Sequence, residues 1–229
     1  MEFNNFAYLL VLLGTVAMPI VFGFDKKLQF FNNFKYLLPA MLFSGAIFII
    51  LDLRFTERAV WSFNPEYLIG KNLLNLPIEE WLYFLAVPLL GTFIYEFIKQ
   101  RFYNFERPNF FLAISLGLLL IFGVAGYLSK QKVYPFFIFF LLTIYLGYTI
   151  FRSRFKEHFT KFYLSYFVLL VPFIAISGIL TGLPVIEYNP QFNMGIRLFS
   201  IPIENFASLF FLQLMNITIY EYLKERRIY

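Results

Sequence analysis

Four carboxylates in this chain stand where acid–base chemistry could be done. Glu79 and Glu80 follow Pro77-Ile78, Glu204 follows Pro202-Ile203, and Asp52 ends an apolar run just before Arg54. A carboxyl walled by apolar and aromatic groups has its charged form disfavoured and can stay protonated near neutral pH, the state a general acid needs. Such walls are close in sequence. Glu80 is followed at i+3 and i+4 by Tyr83 and Phe84, on one helical face, and Glu204 is followed by Ser208 and Phe211. Aromatic faces attract cations, so this grouping suits proton donation to carbon with a carbocation held afterwards. The plainer alternative is also open. Each proline starts a helix, each glutamate rests in the first turn near the positive end of the dipole, and Asp52 is an interfacial acid paired with Arg54 or Arg58.

The acids belong to a duplication. Phe63-Asn64-Pro65, Gly70, Pro77-Ile78-Glu79 and Tyr95-Glu96 match Tyr188-Asn189-Pro190, Gly195, Pro202-Ile203-Glu204 and Tyr220-Glu221 at an offset of 125, with 11 of 34 positions identical between 63 and 96. The matched residues shape backbone or carry charge. Glu79 and Glu80, as helical neighbours, point about 100° apart. A pair formed across the repeat, Glu79 or Glu80 with Glu204, is therefore the better candidate for a shared site. Tyr95-Glu96 and Tyr220-Glu221 fall about 25 Å further along their helices, where tyrosine is expected in the aromatic belt of the opposite interface.

What must position these groups is a bundle in a bilayer. The chain is 60% hydrophobic and 23% aromatic, only 14% charged, and has no Cys and one His. Disulfides, thiol catalysis and a His-based metal or triad site are excluded on those counts, and transmembrane segments are the first expectation. Seven apolar stretches predict an all-α polytopic protein with spans near 6–24, 36–53, 77–98, 109–128, 133–151, 162–181 and 203–223. The first residues carry Glu2 and no Lys or Arg, so the first stretch reads as a retained helix, not a cleaved signal. Loops on one side and the C-terminal tail hold 13 Lys and Arg, the other side 6. The positive-inside rule then puts the N-terminus outside and the C-terminus in the cytoplasm of a cell-membrane protein. The basic residues are scattered in short loops and do not form a nucleic-acid surface.

The offset superimposes spans 1, 2 and 3 on spans 5, 6 and 7, a 3+1+3 plan. The expected units are a first repeat over 1–105, a linker helix over 106–130 and a second repeat over 131–229. Equivalent spans have the same orientation, which makes the repeats parallel about an axis along the membrane normal and brings both Pro-Ile-Glu turns to one depth.

The motif makes a resemblance specific. Trp61-Ser62-Phe63-Asn64-Pro65-Glu66-Tyr67-Leu68-Ile69-Gly70 with Leu76-Pro77-Ile78-Glu79-Glu80-Trp81-Leu82-Tyr83-Phe84 resembles the first domain of the integral-membrane lycopene cyclases. Tyr188-Asn189-Pro190, Gly195-Ile196-Arg197 and Ile201-Pro202-Ile203-Glu204-Asn205-Phe206 resemble the second domain, so the chain is similar to the fused form. The resemblance implies a lycopene β-cyclase. Linear ψ-ends become β-ionone rings, through γ-carotene to β-carotene, with no net redox change. It implies Glu79, Glu80, Glu204 and Asp52 as the catalytic acids. The expected substrate-binding set is Asn64, Pro65, Trp81, Tyr83, Phe84, Asn189, Arg197, Asn205, Phe206 and Phe211. Asn205 stands where the family's second domain usually carries Asp, and an amide cannot pass the catalytic proton. The acid is then Glu80 or Glu79, with Glu204 as partner or C6 proton acceptor.

Partners implied are the carotenoid, the bilayer and other enzymes of carotenoid synthesis. No cofactor is expected: Gly-x-Gly-x-x-Gly is missing, which sets the chain apart from flavin-dependent cyclases, and no nicotinamide motif or metal site is found. Alternatives are a monocyclase or hydratase of related fold, or a seven-helix binder, sensor or transporter of an apolar ligand. Span 7 has no Lys before Lys224, which argues against a retinal Schiff base there. Among single residues, Glu66 aligns with Gln191 and reads as a solvated loop position. Asn64 and Asn189 read as turn formers, Gly70 and Gly195 as tight backbone, Arg197 as a partner for a motif acid, and His158 as solvated.

Overall fold

The computed structural model describes residues 3–25, 28–151 and 155–226. Lys26, Lys27, Arg152, Arg154 and Arg227, which contribute to the charge bias, lie outside the described residues. Seven helices are long and apolar enough to cross a membrane. They are α1 (Ala7–Phe22), α2 (Phe34–Glu57), α3 (Ile78–Arg101), α4 (Pro108–Leu128), α5 (Val133–Phe151), α6 (Phe159–Gly182) and α7 (Ile203–Glu225). The protein is an all-α polytopic membrane protein, since in hydrocarbon each span must satisfy its own backbone groups.

Helix ends exceed the expected ones by a few residues. α2 runs past the apolar stretch to Glu57, where Arg54 reaches Glu57 at 3.1 Å on the same exposed face. Arg54 is therefore engaged away from Asp52.

α3 and α7 form the centre. Their most apolar windows are 61% and 72% buried, against 22% for the α1 span and 17% for α4. α1 packs on α3 and α5 on α7, while α2 lies against α7 as well as α3, and α6 lies against α3. α2 thus touches α7 and α6 touches α3, so the helices of the N- and C-terminal halves interlock. The α3–α7 seam is polar as well as tight. The Gln213 side chain lies over Gly91, so close that a Cβ there would clash, and donates to the Val87 carbonyl at 3.0 Å. Asn216 Nδ2 donates to Thr92 Oγ1 at 2.8 Å. Each such bond contributes on the order of 0.6 kcal/mol in a bilayer, and their directionality fixes the register of the two helices.

The two long loops are not featureless. Each contains a short hairpin, β2 (Asn72–Leu73) with β3 (Leu76–Pro77) before α3, and β5 (Arg197–Leu198) with β6 (Ile201–Pro202) before α7. A third pairing joins the loops to each other. β1 (Trp61–Phe63) runs antiparallel to β4 (Ile186–Tyr188), with Trp61 opposite Tyr188. The sequence offers no signal for it, because three residues are too few to show alternation.

Matched motif residues make matched contacts. Asn64 Oδ1 accepts from the Glu66 N–H and Asn189 Oδ1 from the Gln191 N–H, each at 3.0 Å. Gly70 and Gly195 adopt φ of +79° and +77°, the left-handed region that costs other residues about 1–2 kcal/mol.

At the far ends of α3 and α7 the expectation of an aromatic belt does not hold. Tyr95 and Tyr220 are fully buried. Lys224 and Tyr220 on α7 donate to Glu96 on α3, both at 2.8 Å, while Lys99 on α3 donates to Glu221 on α7. His158 is not solvated either. Its Nδ1 meets the Tyr95 hydroxyl at 3.3 Å and its Nε2 meets Glu225 at 3.0 Å. Acids and bases this deep persist only when paired, and here each helix pairs the other's.

Candidate active site

At the loop end of the bundle, α1, α2, α3, α5, α6 and α7 converge on a cavity of about 60 Å³, roofed by β1 and β4. Asp52 from the last turns of α2 and Glu80 from the first turn of α3 both line it. Tyr8 of α1 donates to Glu80 Oε2 at 2.5 Å. All three are buried, Tyr8 completely. Two buried carboxyls on one cavity, one of them held by a phenol, could serve as proton donor and proton acceptor.

The opposite wall carries no acid. Asn205, at the start of α7, is clamped in both directions: it accepts from the Tyr134 hydroxyl and its Nδ2 donates to the Tyr188 hydroxyl, each at 2.8 Å. Burial pushes the Tyr188 phenol up from its ordinary pKa, keeping it neutral. Trp61, Tyr134 and Tyr188 form an aromatic box, with Trp61 5.1 Å from Tyr134 and 5.6 Å from Tyr188 between ring centroids. Such faces stabilise a desolvated cation by about 2 kcal/mol.

Ten of the sixteen lining residues form five pairs 125 apart: Asp52 with Ser177, Trp61 with Ile186, Glu80 with Asn205, Tyr83 with Ser208, and Phe84 with Leu209. Both members of each pair face the same space, and in the acid pairs only the first-half member is ionisable. This asymmetry could have been read from the chain by carrying the offset back to Asp52. Tyr8 and Tyr134 lie in apolar runs without a motif, and no sequence signal marks them.

Glu79 and Glu204 are not among the cavity-lining residues. They are fully buried and turn to the loops, where Glu79 Oε1 accepts from the Ile69 N–H at 2.7 Å and Glu204 Oε1 from the Met194 N–H. Each ties its Asn-Pro…Gly loop to a helix start. The structure sets Glu80 on one cavity with Asp52 and Tyr8, and no motif acid crosses from α7 to join it.

Of the expected substrate-binding residues, Tyr83, Phe84 and Asn205 line the cavity. Asn64, Pro65 and Asn189 shape the loop turns, and Trp81 donates to the Leu73 carbonyl at 3.3 Å. Arg197 donates to the Ser200 carbonyl at 3.1 Å. Phe206 packs on Phe173, and Phe211 packs on Phe48 and Tyr145.

Gln keeps a carbonyl that can accept from the loop amide, so Glu79→Gln and Glu204→Gln retain turnover per molecule. Glu79→Ala strands the Ile69 N–H at a cost of about 1–3 kcal/mol and lowers the amount of protein in the membrane. Quantitative blotting alongside turnover separates the two effects. Tyr8→Phe removes one buried hydrogen bond to a carboxyl, worth about 1.5–3 kcal/mol, and lowers turnover roughly 10- to 100-fold at unchanged protein level.

The family model described as lycopene cyclase matches residues 5–98 and 131–223. No curated protein and no solved structure matches the chain.

Proposed function

The chain belongs to the lycopene cyclase family, and from that premise we propose that it is a lycopene β-cyclase whose acid–base pair is Glu80 and Asp52. Family membership makes it a carotenoid cyclase in a membrane. The β-ring product and the residue roles are our reading, and the observation that carries it is that Asp52 and Glu80, the latter held by Tyr8, line one aromatic-walled cavity.

In this mechanism Glu80, oriented by Tyr8, gives its proton to C2 of a ψ-end. The C1=C2 electron pair forms the new C–H bond and leaves a tertiary cation at C1. The C5=C6 pair attacks C1, closing the ring through a C1–C6 bond and moving the cation to C5. Asp52 takes the C6 proton, and the electrons of that C–H bond become the C5=C6 double bond of the β-ring. Protons and electrons balance within the substrate and the two carboxyls. The chemistry therefore needs neither flavin nor nicotinamide.

We place the two repeats about one axis normal to the membrane, over 1–105 and 131–229, with 106–130 as linker. The matched loop contacts and the 125-offset lining pairs support this. The charge bias supports an outer N-terminus, which puts the cavity at the outer end of a cell-membrane bundle. With acids on one wall only, one end is cyclised at a time, and γ-carotene turns round for the second ring. Expression in a lycopene-accumulating bacterium tests the proposal by pigment chromatography: β-ring products are expected, and unchanged lycopene with the protein confirmed in the membrane contradicts it.

A further inference from the structure

The roof over the acid pair has a role beyond folding the loops. β1 and β4 are drawn from the two polar segments, yet their inward side chains, Trp61, Ile186 and Tyr188, complete the cavity wall. Their outward neighbours, Ser62 and Glu187, face solvent. The ladder is extended at both ends, by the Asn64 N–H to the Val185 carbonyl at 3.0 Å and the Asn189 N–H to the Val60 carbonyl at 2.9 Å. Val60 and Val185 are fully buried, and Trp61 is 7% exposed. On this side the cavity is covered by one layer of paired backbone and the Trp61 indole.

Resting on the cyclase reading above, we propose that this strand pair is a water barrier that decides the fate of the C1 cation, and that Trp61 determines ring closure over hydration. The competing step is balanced. A water oxygen bonds to C1 and the water loses one proton to the carboxylate that had just donated one. The acid pair is restored and the product is a tertiary alcohol one water heavier than lycopene. Ring closure wins in the intact site because the roof keeps water from C1 while the substrate's own C5=C6 bond is held against it. Trp61 also gives the cation an aromatic face, so its loss both admits water and weakens the hold on the cation.

The test incubates membranes containing wild type, Trp61→Ala, Ile186→Ala or Trp61→Phe with lycopene in ¹⁸O-water, followed by mass spectrometry of the pigments. Wild type and Trp61→Phe should yield products isomeric with lycopene. Trp61→Ala should divert at least a tenth of turnover into ¹⁸O-labelled alcohol, and Ile186→Ala, opening the roof from the other strand, a smaller share. If both alanine variants turn over and give only isomeric rings, the barrier role is overturned. Loss of all turnover in both, at wild-type protein levels, also overturns it, because protonation does not require the roof. A wild type that makes no ring would remove the cyclase reading itself, an outcome distinct from a wild type that cyclises and variants that do not hydrate.

Discussion

Glu80→Gln is expected to lower ring formation by about 10³-fold, within the range a positioned general acid contributes, while the protein accumulates normally in the membrane. Glutamine matches glutamate in shape and can still accept from Tyr8, so the α1–α3 contact survives. What is lost is the proton. The remaining carboxyl, Asp52, sits on α2 and is not held by the phenol, so it does not substitute. Pigment chromatography at matched protein level reads the result. Turnover within a fewfold of wild type would mean that the proton comes from elsewhere.

Asp52→Asn should differ in kind. Protonation by Glu80 remains possible, but the acceptor for the C6 proton is gone. Turnover falls by about 10²-fold, and the ring cation at C5 loses a proton from wherever a weaker base reaches. Loss from C4 in place of C6 leaves an ε-ring, so the residual product should be enriched in ε-ends, resolved from β-ends by chromatography and absorption. A residual product composed of β-rings alone would assign the C6 proton to another group and leave Asp52 as a positioning residue for Glu80.

The contrast between these acids and Glu79 and Glu204 explains how much of the site could be read in advance. The duplicated Pro-Ile-Glu turns point to the right end of the right helices, since prolines and a matched Gly can be compared across 125 residues. The repeat itself then misdirects attention to the acid it preserves. Glu79 and Glu204 are alike in both halves because both hold a loop amide, a task each half needs. Glu80 has Asn205 as its counterpart and Asp52 has Ser177, so the two carboxyls that line the cavity are those the duplication does not share.

Which of two adjacent glutamates faces inward depends on the rotation of α3. That rotation is set by the α3–α7 polar seam and the close approach of Gly45 on α2 to the Phe84 carbonyl, long-range facts that hydropathy does not carry. The spans were legible to within a few residues because a bilayer demands long apolar runs. The β1–β4 roof was not, because three residues paired over 125 positions leave no periodicity. His158 reads as a solvated loop residue from its basic neighbours, but its contacts are made by Tyr95 and Glu225 on other helices.

The central claim is that a carboxyl proton in this cavity starts the ring. It is tested most directly by pre-exchanging the enzyme in D₂O, adding lycopene in less than single-turnover amount and measuring deuterium in the first monocyclic product. One deuterium at C2 of the ring is predicted for wild type, with no labelled ring above background for Glu80→Gln. A ring that closes without deuterium, or a labelled ring formed equally well by Glu80→Gln, would contradict the account.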